Sequence, residues 1–217
     1  SKSDAPDPVN AGTPLTYTIT VTNAGPVSAG ALTTTLAVTD ARYIGIPWAG
    51  SALPYPTTAY VDSMPGLLQN MTVTLNDFNH TYPGDVSVLL VGPSGQGVVL
   101  MSNAGGGTDA AGVTLRFNDA GAALPANDAL TSTLVYRPTN YGIGGLPAPA
   151  PSSPYGGSLS TFNGASPNGD WELYVYDNVD SDGGSIAGWG LQLTTVTTDT
   201  VTLTDTLPSG LTGVGVP

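Results

Sequence analysis

The sequence predicts an all-β protein, and three observations carry that expectation. Charged residues make up only 9% of the 217 residues, whereas Gly (29) and Pro (19) together exceed a fifth. Such a composition disfavours helix interiors and supplies many turns. Hydrophobic residues, at 40%, are too abundant for a disordered chain. They recur in short runs that alternate with polar residues, the period of a half-buried strand.

The elements follow in chain order. Leu15, Tyr17, Ile19 and Val21 alternate with Thr, which predicts a strand that ends at the turn Asn23-Ala24-Gly25-Pro26. Met71, Val73 and Leu75 form a second alternating run. Val86 to Val91 is almost continuously apolar between Gly84 and Gly92-Pro93, the pattern of a strand buried on both faces. Ser94-Gly95-Gln96-Gly97 then separates it from Val98–Met101 at a hairpin spacing. Val113, Leu115 and Phe117 continue the alternation. Trp171, Leu173 and Val175 face one way on a later strand and Glu172, Tyr174 and Tyr176 the other. Trp189, Leu191 and Leu193 furnish the last core strand. Trp171 and Trp189 are expected to anchor the space between two stacked sheets. The Gly- and Pro-rich stretch from about Asn118 to Pro154 is a long loop, expected to wrap the sandwich with part of its backbone paired.

Charge and composition exclude several functions. The net charge is −12 with four basic residues, Lys2, Arg42, Arg116 and Arg137, so the surface repels nucleic-acid phosphates and anionic lipid. It suits solubility and divalent cations. The chain has no Cys, which removes disulfides, thiolate metal sites and Cys nucleophiles. No apolar run is long enough to span a bilayer. The opening Ser1-Lys2-Ser3-Asp4 reads as a mature or excised fragment. Asn70-Met71-Thr72 and Asn79-His80-Thr81 match the glycosylation sequon, a pattern common by chance.

Candidate sites are mainly oxygen-rich turns. Asp177-Asn178-Val179-Asp180-Ser181-Asp182-Gly183-Gly184 places Asn178, Asp180, Asp182 and Gly183 on the first half of a calcium-loop pattern, with ligands at alternate positions and Gly for the sharp turn. The twelfth position is Trp189 and not a bidentate Glu, so a helical EF-hand is excluded while a calcium-holding β-turn is not. Hard oxygen ligands favour Ca2+ over zinc or copper. The same residues equally describe an acidic turn that holds only water. A second cluster, Asn103–Asp109 with Asn118-Asp119, offers Asp109, Asp119 and backbone carbonyls for calcium, or else flexibility alone. Asp170 and Glu172 share a strand face, which does not put two carboxylates on opposite sides of a sugar. Tyr174 and Tyr176 lie on that face, where filling a gap is commoner than stacking on a carbohydrate. His80 is the only His. No Gly-x-Ser-x-Gly elbow accompanies it, which argues against a serine hydrolase.

Two long motifs point further. Asn79-His80-Thr81-Tyr82-Pro83-Gly84-Asp85 runs into Val86–Gly95. Asn163-Gly164-Ala165-Ser166-Pro167-Asn168-Gly169-Asp170-Trp171-Glu172-Leu173-Tyr174-Val175-Tyr176-Asp177 is followed by Gly184–Leu193. Together they resemble the bacterial version of the P domain that follows the catalytic domain of kexin- and furin-like proteases. Asp4–Val9, Gly12, Val21–Pro26 and Val201–Leu211 resemble an Ig-like repeat of prokaryotic surface proteins. The resemblances imply a jelly-roll-like P-domain sandwich at 46–195. It is inserted in, or flanked by, a partial Ig-like sandwich with its first part at 1–45 and its incomplete second part at 196–217. They place His80 and Asp85 at a strand entry, with a structural hydrogen bond from the imidazole to a carboxylate or the backbone. They imply a non-catalytic, extracellular, calcium-assisted module. Three functions are open: a structural or adhesion module of a cell-surface protein, a fibre subunit assembled by strand complementation between copies, or an accessory domain of a secreted serine protease. The partners are accordingly other domains of a larger protein or further copies of the chain.

Overall fold

The computed structural model describes residues 2–5, 16–20, 22, 32–143 and 145–197. The chain divides into two compact units, residues 1–31 with 198–217, and residues 32–197. In the first, strands β1 (Lys2–Ala5) and β2 (Thr16–Ile19) pair antiparallel. Ile19 is 37% exposed. The side chains of Leu15, Tyr17 and Val21, the turn Asn23–Pro26 and the Ig-like motif Val201–Leu211 lie outside the described residues.

The second unit is all-β. In chain order its strands are β3 (Leu32–Asp40), β4 (Ile44–Ile46), β5 (Gly50–Ser51), β6 (Thr57–Val61), β7 (Leu67–His80), β8 (Val86–Val91), β9 (Gly97–Ser102), β10 (Ala110–Ala122), β11 (Val135–Tyr136), β12 (Thr139–Asn140), β13 (Gly169–Asp177), β14 (Gly184–Ile186) and β15 (Gly188–Thr197). They form two mixed sheets that face each other as a sandwich. One runs β11–β10–β7, with β15 and then β3 beyond β7, and with β14 and β4 at the far end of β7. The other runs β12–β9–β8–β13, with β5 and β6 both on β13. The β11–β10 and β12–β9 pairs are parallel and the rest antiparallel. Leu32–Asp40, part of the 1–45 segment, pairs along its whole length with β15 and counts with the sandwich.

The core forms where the alternating faces meet. Val73, Leu75, Leu115, Phe117, Trp189, Leu191 and Leu193 from the first sheet pack against Val88, Leu90, Leu100, Trp171, Leu173 and Val175 from the second. Trp171 and Trp189 are both fully buried. The Trp171 Nε1–H donates to the Pro167 carbonyl at 2.8 Å, and its ring meets Phe162 edge-on at 5.0 Å. Trp189 Nε1–H has no partner among the described residues. The continuous apolar run of β8 is explained by cover on both sides. Val86, Val88 and Leu90 face the sandwich interior, while Leu89 and Val91 join Val99 and Tyr174 in a second cluster on the outer face. The Gly/Pro loop covers that cluster with Ile143, Leu146, Ala150 and Tyr155. Tyr55 Oη–H donates to the Pro147 carbonyl at 3.0 Å, and Tyr155 Oη–H to Pro151 at 2.7 Å. Tyr174 is therefore a packing residue beneath the loop and not a platform open to sugar.

An ion pair closes the end of β3. Asp40 is buried, and Arg42 Nε and Nη2 reach its two carboxylate oxygens at 2.9 Å each. The Thr57 hydroxyl also donates to it. Burial pushes the Asp40 carboxyl up, but the Arg42 and Thr57 hydrogen bonds and the guanidinium charge outweigh this and hold it below 3.8. The stabilisation is thus complete above that value and fades as pH falls through the lowered folded-state pKa. Arg42→Ala is expected to cost about 1–2 kcal/mol at pH 7, discounted because the Arg42 side chain is 55% exposed. Urea melts should show the gap to wild type narrowing only below about pH 4.

Candidate metal centre

Four strand ends converge at one end of the sandwich. β7 stops at His80, and a 3-10 turn, Pro83–Asp85, leads into β8. β13 stops at Asp177, and the acidic turn that follows leads into β14 at Gly184. Registers bring the ends together: His80 pairs with Gly184 in one sheet, and Asp177 with Val86 in the other. Gly184 is required there, because a Cβ would lie 1.9 Å from the Asn79 carbonyl oxygen.

The convergence places His80 Nε2 3.0 Å from Asp177 Oδ2, with both side chains 0% exposed. This bond joins the two sheets. The Tyr82 backbone N–H donates to His80 Nδ1 at 3.1 Å, so Nδ1 is an acceptor and carries no proton. The ring is therefore the neutral Nε2–H tautomer, and Nε2 donates to Asp177. The other Asp177 oxygen accepts from Val179 N–H at 3.1 Å. Asp182 brings a carboxylate oxygen to within 4.8 Å of the His80 and Asp177 donor atoms. Its Oδ1 is shielded from solvent and has no hydrogen-bond partner among the described residues.

The electrostatics of this pocket are unbalanced. Burial pushes the Asp177 carboxyl up; Val179 N–H and His80 oppose the rise and the Asp182 charge adds to it. Asp85 is pushed up by burial first, then by the charges of Asp182 and Asp177, with His80 again opposing. Among the described residues, Arg42 and His80 are the only bases in ion pairs, and Arg42 is committed to Asp40.

The structure sorts the expected site residues. Asp177 and Asp182, which the sequence puts in one acidic turn, lie close together, and His80 joins them. His80 bonds to a carboxylate as the resemblance implied, but that carboxylate is Asp177, with Asp85 as a nearby charge. Asn178 acts as a tie: its Nδ2 donates to the Asp85 carbonyl at 2.7 Å and to Ser87 Oγ at 2.8 Å. Asp180 and Asp109 are exposed and stand outside the three-residue group. Asp119 holds the 3-10 turn Leu159–Phe162, accepting from Leu159 N at 2.7 Å, Ser160 N at 2.8 Å and Ser158 Oγ at 2.7 Å. Protein donors thus engage both Asp119 carboxylate oxygens, one at Oδ1 and two at Oδ2. Asp119→Ala is expected to cost about 1 kcal/mol, the usual loss for an N-cap-type acceptor, read by thermal melting. Gly105–Gly107 serves packing, since a Cβ at Gly106 would meet the Asn127 backbone at 2.9 Å and one at Gly107 the Tyr82 ring at 2.6 Å.

The sequence contained one overlooked signal for Asp177. It continues the inward set Trp171, Leu173, Val175 in strict period two. Nothing comparable marked His80. A left-handed residue at Asp77 (φ 52°) and shifts of register against β10 switch the inward set of β7 from Leu75 to Phe78 and His80.

Among the described residues, no helix is long and apolar enough to cross a membrane. No protein of curated function matches the sequence. Among solved structures, a serine protease of Aeromonas sobria is similar at 14% identity and a TM-score of 0.37, over 80% of this chain and 28% of that one. The same protease in complex with its chaperone ORF2 is similar at 14% identity and a TM-score of 0.37, over 76% and 27%. The chain thus spans less than a third of the protease chains it matches. Residues 68–120, which run from β7 through β8 and β9 into β10 and include His80 and Asp85, match the family model of the proprotein convertase P-domain.

Proposed function

We propose that the chain is a non-catalytic accessory module of a secreted serine protease, in the manner of a P domain beside its catalytic domain. One observation carries this reading. The P-domain match falls on the strands that build both facing sheets and on the His80–Asp85 corner, so it coincides with the structural centre of the unit. The chemistry of His80 agrees, since both ring nitrogens are engaged in structural hydrogen bonds and neither is free to take a proton from a nucleophile. An extracellular location belongs to the same proposal. The adhesion and fibre readings lean on the Ig-like ends, most of which lie outside the described residues.

The parent reading frame tests the proposal. A serine-protease catalytic domain encoded in the same chain supports it; an array of surface repeats without a protease overturns it in favour of adhesion. In the protease case, deleting 32–197 from the full-length protein should abolish accumulation of folded enzyme in the medium. Undiminished yield of active protease without the module would defeat the accessory role.

A further inference from the structure

We infer that a cleft on the outer side of the second sheet, between the β8–β9 turn and the Gly/Pro loop, binds a single neutral pyranose unit. The cleft is a property of the sandwich itself and goes beyond the accessory role proposed above.

Three segments enclose it. The β8–β9 turn at Gln96, the Gly/Pro loop at 151–156 and the 3-10 turn at Thr161 surround about 330 Å³. That lies at the lower end of the volumes usual for small-molecule sites, roughly 300–1,000 Å³. At about 30 Å³ per water molecule it holds about eleven water-sized groups, close to the dozen or so non-hydrogen atoms of a hexose. The walls are fixed by hydrogen bonds. Gly156 N–H donates to the Gly97 carbonyl at 2.8 Å and Val99 N–H to the Gly156 carbonyl at 3.2 Å, which ties the loop to β9 in a parallel bridge. The Tyr155 hydroxyl, bonded to Pro151, holds its ring in place. Gly156 and Gly97 allow this close approach, since a Cβ on the first would lie 2.6 Å from Thr161 Oγ1 and one on the second 3.2 Å from the Tyr155 ring. The cleft is thus largely formed before any ligand arrives, and binding costs little reorganisation.

The lining selects the ligand. No charged residue borders the cleft, although the chain carries a net charge of −12. An ionic ligand would lose its hydration there without gaining a counter-charge. Tyr155, Pro151 and Pro154 supply apolar ring carbons. Gln96, Ser152 and Thr161 supply an amide and two hydroxyls, and none of these three side chains has a hydrogen-bond partner among the described residues. Amide and hydroxyl groups both donate and accept, as sugar hydroxyls do. A pyranose also presents weakly positive C–H groups, which suit the negative face of an aromatic ring. A peptide adding as a strand is disfavoured, because the main chain here is already engaged. The Gly97 and Gly156 carbonyls are bonded as above, and the Gln96 carbonyl accepts from Gly92 N–H at 2.9 Å. Recognition therefore falls to side chains, which fits a small polyol better than an extended backbone.

The test titrates the 15N-labelled 217-residue chain with the methyl glycosides of glucose, galactose, mannose and N-acetylglucosamine. At least one should shift the amides of Gly95–Gly97, Gly156 and Thr161 in a saturable manner, with a dissociation constant on the order of 1 mM. Gln96→Ala, at an exposed side chain, should weaken that binding about three- to tenfold. Ser152→Trp, also at an exposed position, should fill the cleft and abolish binding with the thermal midpoint unchanged. Trp48→Ala removes an exposed aromatic outside the cleft and should leave binding intact. Contacts between sugar C–H protons and the Tyr155 ring, read as nuclear Overhauser effects on the wild-type chain, report on the site even if Ser152→Trp fails to fold. Absence of saturable shifts with all four glycosides overturns the site. So do shifts that survive in folded Ser152→Trp, or that vanish in Trp48→Ala. Tighter binding of a triproline peptide than of any glycoside overturns the sugar in favour of a peptide. Tighter binding of methyl glucuronide than of methyl glucoside overturns the preference for a neutral ligand.

Discussion

Trp171→Ala is expected to destabilise the sandwich by about 3–5 kcal/mol, the range for removing a large aromatic side chain from a closed core. The indole is fully buried, and four losses add on its removal. The transfer energy of the ring disappears, a cavity opens, and the Pro167 carbonyl loses the Nε1–H that satisfied it at 2.8 Å. Phe162 also loses its edge-on partner. Collapse cannot repair the gap, because Trp171 sits on β13, which is held by β6 on one side and β8 on the other. Urea unfolding of the variant measures the effect directly, through a lower midpoint at unchanged slope. A loss below about 1 kcal/mol would mean that the ring does not occupy the inter-sheet core.

His80→Ala is expected to have a comparable effect, about 3–5 kcal/mol at pH 7, through different physics. The substitution leaves Asp177 fully buried without the Nε2–H donor and the Tyr82 N–H without its acceptor, and it opens a void beside Phe78, whose ring is stacked 6.4 Å away. Removing one member of a buried charged hydrogen bond is far costlier than never having made it. His80→Gln, whose amide retains an N–H donor, should recover part of the loss where Ala does not, as measured by urea midpoints. Equal stability of His80→Ala and wild type would show that the His80–Asp177 bond does not tie the sheets together.

The strands were legible because alternation is a local property. Val73 and Leu75, Val113 to Phe117, Trp171 to Val175 and Trp189 to Leu193 each announce a face to be buried, and each is buried. The β8–β9 hairpin was legible for the same reason, since Gly95 supplies the left-handed turn residue (φ 82°) between two apolar runs. The site was only half legible. Asp177 and Asp182 belong to one acidic turn and could be read together, whereas His80 is 97 residues from its partner. Asp119 reads as a ligand by type, and its hydrogen bonds to a turn 39 to 41 residues away leave no local pattern.

Sequence alone determined that this chain makes short, two-faced strands joined by Gly and Pro turns, and that its surface is acidic, because composition and period two act on neighbouring residues. Tertiary structure decided which carboxylates are buried, which nitrogen of His80 carries the proton and which oxygen is left without a partner. Those properties depend on the meeting of two sheets, and the approach of groups about a hundred residues apart leaves no pattern in either local segment.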